Sequence, residues 1–325
     1  MAGKKIAIGV DFGATKIMAA ALDKKLNILS RVKIRTKAER GPKDTAERMA
    51  SLAREAATSA GFDLDDIGYV GVGAPGPLNP EEGVILSAPN LGWEKVPLKK
   101  MLEADLKVPV VVDNDVNMGT YGEYVAGAAK GKMLVVGIFP GSGIGGGIII
   151  DGKVIHGASG AAGEVGHIIV DPGGALCGCG RRGCVETVAS RIAIARDIIA
   201  AGIRGQSPYV MEHFGTNMQK LKSSSIAEAI AAGDKVVEQI VRYAARMVGL
   251  AASDICNTLS PDCVVLGGGL VEAMPDLFLK EVYKGIQDFT MPAISPYVEV
   301  AVAQLGDDAV AVGAAENARI FLKEE

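Results

Sequence analysis

The sequence predicts an α/β protein of two domains, built as a duplication with a cleft between the halves. Its 325 residues are enough for two hydrophobic cores. Each half opens on the same pattern: a buried strand, a glycine-containing turn and a second strand. In the first half these are residues 6–10, 12–15 and 17–22; in the second, 135–139, 141–147 and 148–150. Helical and strand patterns then alternate, as they do when helices cover a largely parallel sheet.

A third strand over 28–34 is followed by a helix from about Pro42. Its apolar positions Ala46, Met49, Leu52, Ala53 and Ala56 recur at helical spacing, and Gly61 serves as its C-terminal stop. Residues 69–73 and 108–112 are further strands, the second a β-branched run too continuous for a surface helix. Residues 118–129 return to a helical pattern. In the second half, Ser225 and Glu228 have the spacing of a capping box and start a short helix. Asp234 begins a long one, with Val237, Ile240, Val241, Ala244, Met247, Val248 and Ala251 on its apolar face. A buried strand over 264–266 runs into Gly267–Gly268–Gly269, and a helix over 309–322 closes the chain. The expected division is 1–117 plus 304–325 for a smaller α/β domain and 118–303 for a larger one. No linker-like tract marks the boundary.

A net charge of −4 and a pI near 5.6 give no reason to expect nucleic acid or an anionic membrane as partner. Aromatics at 5% are too few for base-stacking platforms. The start of the chain lacks the apolar stretch and small-residue cleavage site of a signal peptide. The longest uncharged stretch, between Lys132 and Asp151, holds Pro140 and six glycines, which rules out a lipid-facing helix. With no export signal and five cysteines, the chain is expected in the reducing cytoplasm, where clustered cysteines bind metal.

Asp11, Gly13, Ala14, Thr15 and Lys16 occupy the first turn. Glycine lets backbone N–H groups approach a phosphate, Thr15 adds a hydroxyl, and Asp11 is placed to hold Mg2+ through water. A plain hairpin turn accounts for the same residues, and Lys16 alone reads as a solvated hairpin lysine. The second turn, with Gly141, Ser142 and Gly143, carries more glycine than a structural hairpin needs. Neither turn has the P-loop spacing or leads into a helix as a dinucleotide fingerprint does, so two phosphate-facing hairpins favour a kinase. Gly268 and Gly269 form a third candidate, equally readable as a tight strand-to-helix turn.

The strand over 108–112 runs into Asp113–Asn114–Asp115–Val116–Asn117. Polar groups at the end of a buried strand lie where α/β sheets place active sites. Phosphoryl transfer asks for positioning, charge neutralisation and one base, which Asp115 can supply. Helix capping is the alternative use of such residues, with Asp113 or Asn117 as the cap. His167, Cys177, Cys179 and Cys184 fall within eighteen residues and make a complete tetrahedral Zn2+ shell with no open position, hence a structural metal. Cys256 and Cys263 read as inert core residues. The second ring nitrogen of a metal-bound His167 needs a partner, and a sugar hydroxyl would suit.

Together these residues resemble the ROK family of bacterial sugar kinases and repressors. The resemblance spans essentially the whole chain: DFGATK, APGPLNP, APNLGW, DNDVN, GSGIGGG, GEVGH, CGCGRRGCVE and LGGGL. It implies an actin-like (ribonuclease H-like) ATPase fold with the active site in the interdomain cleft. It also implies Asp115 as base, with Gly76, Asn90, Asn114, Glu164, His167 and Glu186 on the sugar. ATP phosphates and Mg2+ would lie at Asp11 to Lys16, Gly141 to Gly143 and Gly268–Gly269, and zinc at the His and three Cys. Two departures are small: Ser142 stands where the family often has Thr, and Asp113 where Glu is frequent.

Residues 184–190 are similar to the family's glucokinases, which implies phosphorylation of glucose to glucose 6-phosphate. N-acetylmannosamine, N-acetylglucosamine, mannose and fructose use nearly the same polar contacts. The family's repressors carry a helix-turn-helix before the first phosphate motif, for which the ten residues ahead of Asp11 leave no room. Relatives of this kind imply a homodimer or homotetramer.

Overall fold

The computed structural model describes residues 6–88 and 91–324. The chain divides into two compact units. One comprises Met1–Gly131, Gly147–Ala162 and Asp307–Glu325; the other comprises Lys132–Gly146 and Gly163–Gly306. The expected boundary at 303/304 lies beside the break after Gly306, whereas the one at 117/118 falls inside the first segment, which runs on to Gly131. Residues 147–162, which the expected division put in the larger domain, belong to the first unit.

The first unit is built on a five-stranded sheet of order β3-β2-β1-β4-β8. Its early strands are β1 (Ile6–Phe12), β2 (Lys16–Leu22), β3 (Ile28–Arg35) and β4 (Ile67–Ala74). A small antiparallel sheet of β5 (Leu78–Asn79), β6 (Val84–Ala88) and β7 (Trp93–Val96) precedes β8 (Val110–Asn114). β1, β2 and β3 pair antiparallel, whereas β1–β4 and β4–β8 are parallel. β1 and β2 are buried almost throughout and read as continuous apolar runs, while β3 alternates half-buried and exposed as a half-solvated edge does.

The helix Gly41–Ser59 lays Met49, Leu52, Ala53 and Ala56 onto this sheet's core. The last helix, Ala309–Glu324, approaches closer still. Gly9 in β1 and Gly71 in β4 lie so near it that a Cβ on either would run into the carbonyl of Ala311 or Ala314. Side chains cannot exist at that contact, which is why both strands carry glycine in an otherwise β-branched setting.

The second unit begins with β9 (Leu134–Pro140) and the start of β10 (Ile144–Ile150). With β11 (Lys153–Val154), β12 (Cys263–Leu266) and β13 (Glu299–Val302) the sheet order is β11-β10-β9-β12-β13. β9, β12 and β13 run parallel, so the two sheets share one plan: a hairpin extension followed by parallel strands. The long helix Lys235–Leu259 begins where expected, with Asp234 Oδ1 accepting from the N–H groups of Val236 and Val237.

Two expectations need correction. The short helix starts at Ser223, so Ser225 and Glu228 lie inside it and form no capping box. The second glycine turn is also shorter, because β10 already begins at Ile144. Gly145 to Gly147 are strand residues. A Cβ on Gly146 would stand 2.5 Å from the Gly163 carbonyl oxygen, and one on Gly147 the same distance from Thr120 Oγ1. These glycines answer to packing rather than to a phosphate.

Candidate active site

In the first unit, β8 ends at Asn114 and the helix Asp115–Ala126 follows without a break. Asn114 is its cap: Oδ1 accepts from Val116 N at 2.9 Å and Asn117 N at 3.1 Å. Capping therefore falls to Asn114 rather than to Asp113 or Asn117. Asp113 is buried and fully engaged, its Oδ1 accepting from Asn114 N at 2.6 Å and Asn117 Nδ2 at 3.2 Å. Its Oδ2 lies 2.8 Å from His156 Nε2.

Asp115, at the first helical position, accepts from the adjacent Val116 N–H at 2.9 Å. Burial holds its carboxyl above the ordinary aspartate range. Gly76 is brought alongside, since a Cβ there would be 3.3 Å from Asn114 Nδ2. Asn90 lies outside the described residues.

Asp11 closes β1, and its carboxyl is pushed up to about 6, first by burial and then by the negative charge of Asp115. Two carboxylates so coupled and desolvated make a natural seat for a cation. Gly13 N donates to Lys16 O at 3.0 Å to close the turn, leaving Ala14 and Thr15 exposed at its tip. Lys16 does not reach freely into solvent: Nζ is ion-paired with Asp307 at 2.7 Å, and Lys33 joins the same carboxylate at 2.9 Å.

The second unit holds the remaining candidates. The donor atoms of His167, Cys177, Cys179 and Cys184 all lie within 4.8 Å of one another. Cys177 Sγ is 3.6 Å from His167 Nδ1, and Cys179 Sγ is 3.6 Å from Cys184 Sγ. A zinc tetrahedron with bonds of about 2.3 Å has sulfur–sulfur edges of about 3.8 Å, so the group fits this ion. Burial pushes the Cys184 thiol up to about 12. With Nδ1 turned to the cysteines, His167 Nε2 faces Glu164, 3.8 Å from its Oε2.

Glu186 begins the short helix Glu186–Ala189 just after Cys184. Its Oε2 accepts from Ile144 N at 2.9 Å, and its Oε1 is 3.8 Å from Cys177 Sγ. A single carboxylate thus touches both the cysteine cluster and the end of the Gly141–Gly143 turn. The far side of that turn is held by Arg191, which sequence reasoning missed. Its N–H donates to Gly141 O at 2.8 Å and its Nη2 to Ser142 Oγ at 3.0 Å. Gly268 has φ +80 and sits against Pro140, where a Cβ would be 2.8 Å from the carbonyl oxygen. The third glycine element therefore adjoins the second turn.

Comparison with known proteins bears on what these groups do. The model of the ROK family matches residues 7–319. A glucokinase of Halalkalibacterium halodurans is 35% identical over 94% of this chain and 92% of its own. Among solved structures, a ROK hexokinase from Thermus thermophilus superposes with TM-score 0.82 at 31% identity, covering 98% of this chain and all of the other. A ROK family glucokinase from Streptomyces griseus, solved with glucose and AMPPNP, gives 0.80 at 36% identity, covering 97% of this chain and 99% of the other.

Proposed function

The chain belongs to the ROK family, and from that premise we propose that it is an ATP-dependent hexose kinase acting on glucose. Its fold is the actin-like ATPase fold, with the duplicated sheet plan described above. The reading rests on one local observation in that setting. Asp115 is a carboxylate at the carboxyl end of a buried parallel strand, with no side-chain cation paired to it among the described residues.

Asp115 takes the proton of the sugar's 6-hydroxyl as that oxygen attacks the terminal phosphorus of ATP. The bond from this phosphorus to the bridging oxygen breaks, and ADP leaves with the electron pair. General-base catalysis of this kind is worth about 10²–10⁴ in rate. Holding Asn114 by its own helix cap fixes the direction of the neighbouring Asp115 side chain, and Gly76 leaves room for a sugar beside Asn114. In this reading Asn90, Glu164, His167 and Glu186 also contact the sugar.

The donor's phosphates are met by the N–H groups of the turns at Asp11 to Lys16 and at Gly141 to Gly143, with Gly268 and Gly269 beside the latter. Magnesium, when bound near Asp11, supplies neutralising charge to those phosphates. His167, Cys177, Cys179 and Cys184 hold zinc as a staple for their loop. No helix among the described residues is long and apolar enough to cross a membrane. Residence in the cytoplasm and assembly into a dimer or tetramer belong to the same reading.

A coupled assay of ADP release over glucose, mannose, fructose and the two N-acetylhexosamines tests it. Glucose should give the highest kcat/KM; absence of turnover with every sugar would sink the assignment.

A further inference from the structure

The guanidinium of Arg191 stands between two elements that the kinase reading assigns to the nucleotide. On one side, Nη2 donates to Ser142 Oγ and the backbone N–H to Gly141 O. On the other, Nη1 donates to Leu221 O at 3.3 Å, two residues before the helix Ser223–Ala231. Ser223 in turn neighbours Gly269, whose Cβ would lie 3.4 Å from its Oγ. Gly268 rests on Pro140, which leads back into the turn. Arg191 thus spans a ring of backbone formed by 140–142, 221–223 and 268–269.

Its charge is not spent on a protein partner. Among the described residues Arg191 forms no ion pair; its protein acceptors are a hydroxyl and two carbonyls. A guanidinium has five N–H donors in a planar fork, so donors remain after these contacts. Ser142 is exposed and Arg191 half-buried, so the fork can reach a ligand lying over the turn. Glu186 also lies at this turn, and its Oε2 is already taken by Ile144 N. A free cation held rigidly at a turn of exposed N–H groups is what a polyphosphate needs.

We propose that Arg191 is a nucleotide-binding residue of this kinase: its guanidinium contacts the phosphates of ATP while its Ser142 and Leu221 contacts hold the turn in place. The proposal rests on the kinase reading and adds a residue to it. It assigns Arg191 to the phosphates, not to the adenosine and not to the sugar.

Binding of ATP, ADP and adenosine, with and without glucose, to the intact protein and to Arg191→Gln and Arg191→Lys tests this. Arg191→Gln should weaken ATP about 10- to 100-fold, in line with loss of a charge-assisted contact. ADP should weaken by a comparable or smaller factor, while adenosine and glucose stay within about 2-fold. Arg191→Lys should recover most of the ATP affinity because charge is kept. Unchanged ATP affinity in Arg191→Gln would overturn the proposal. So would equal weakening of ATP, adenosine and glucose, which would make Arg191 a brace for the loop alone. Retained glucose binding shows that each variant is folded; should Arg191→Gln lose it, Arg191→Lys decides, binding glucose and ATP if the charge is what matters and overturning the proposal if it binds glucose but not ATP. If the unaltered protein binds ATP and phosphorylates glucose, the kinase reading stands whatever Arg191 does; if it does neither, that reading fails first.

Discussion

His156 Nε2 lies 2.8 Å from Asp113 Oδ2, two residues ahead of the proposed base. The contact ties the Gly147–Ala162 segment to the end of β8, within the first unit. Asp113 raises the proton affinity of His156 above the ordinary histidine value of 6.5. A raised folded-state pKa means that this pair's stabilisation is complete below 6.5 and is lost as pH climbs through the higher folded value. Urea unfolding should therefore show stability falling on the alkaline side of 6.5, and His156→Gln should flatten that slope. The variant should cost about 1–3 kcal/mol, since buried Asp113 loses one of its partners. An unaltered slope would remove the pair from the pH response.

Asp115→Asn should lower kcat by about 10²–10⁴ while glucose affinity changes little. It should also act on Asp11, because the negative charge at 115 contributes to holding that carboxyl near 6. Carbon-detected NMR titration of Asp11 should show its midpoint moving down in the variant. Unchanged turnover would take Asp115 out of the mechanism, and a static Asp11 midpoint would mean the two carboxylates do not communicate.

The pH–rate profile should carry the same signature. The proposed base Asp115 would act only when ionised, and burial shifts its ionisation above the usual aspartate range. The acid limb of kcat should accordingly fall above pH 4, the neighbourhood of an ordinary aspartate. A limb at or below that value would show that Asp115 is solvated and unperturbed.

Elemental analysis should find one zinc per chain. Chelation should lower the melting temperature by roughly 5 °C or more. Cys184→Ser should lose the metal and become indifferent to chelator. Because Glu186 touches both Cys177 and Ile144, metal loss should also weaken ADP binding. A metal-free protein of full stability would remove zinc from the account.

Gly122, in the helix that begins at Asp115, faces Ala309 so closely that a Cβ would strike its carbonyl, and Gly313 meets Met118 in the same way. Gly122→Ala should destabilise by about 1–3 kcal/mol through overpacking and reduce kcat by displacing the helix that carries the proposed base. Full activity and stability would mean that the two helices can separate at no cost.

Much of this was legible in the sequence because it rests on local chemistry. The strand–turn–strand openings, the His167–Cys184 donor set and the strand-end cluster around Asp115 each follow from residue type and short spacing. What was not legible depends on chain segments far apart. Gly145 to Gly147 suggested a phosphate turn, yet the structure uses Gly146 and Gly147 to admit Gly163 and Thr120. Ser225 and Glu228 had the spacing of a cap, but the helix had already started at Ser223. The capping role of Asn114 was hidden among three neighbours of equal propensity. Arg191 left one faint sign, a basic residue at the first position of a helix, where the dipole disfavours positive charge.

The ion pair between Lys16 and Asp307 has a consequence for how the molecule is made. A ribosome delivers β1 and β2 early, but the helix Ala309–Glu324 that covers Gly9 and Gly71 emerges long after them. The first unit must wait for that helix with its sheet uncovered, whereas the second has its whole chain by Gly306. Nascent chains stalled before Asp307 should therefore be cut by protease within the first unit while the second resists. A chain cut short before Asp307 is no half-working kinase, only a product that proteolysis can recognise.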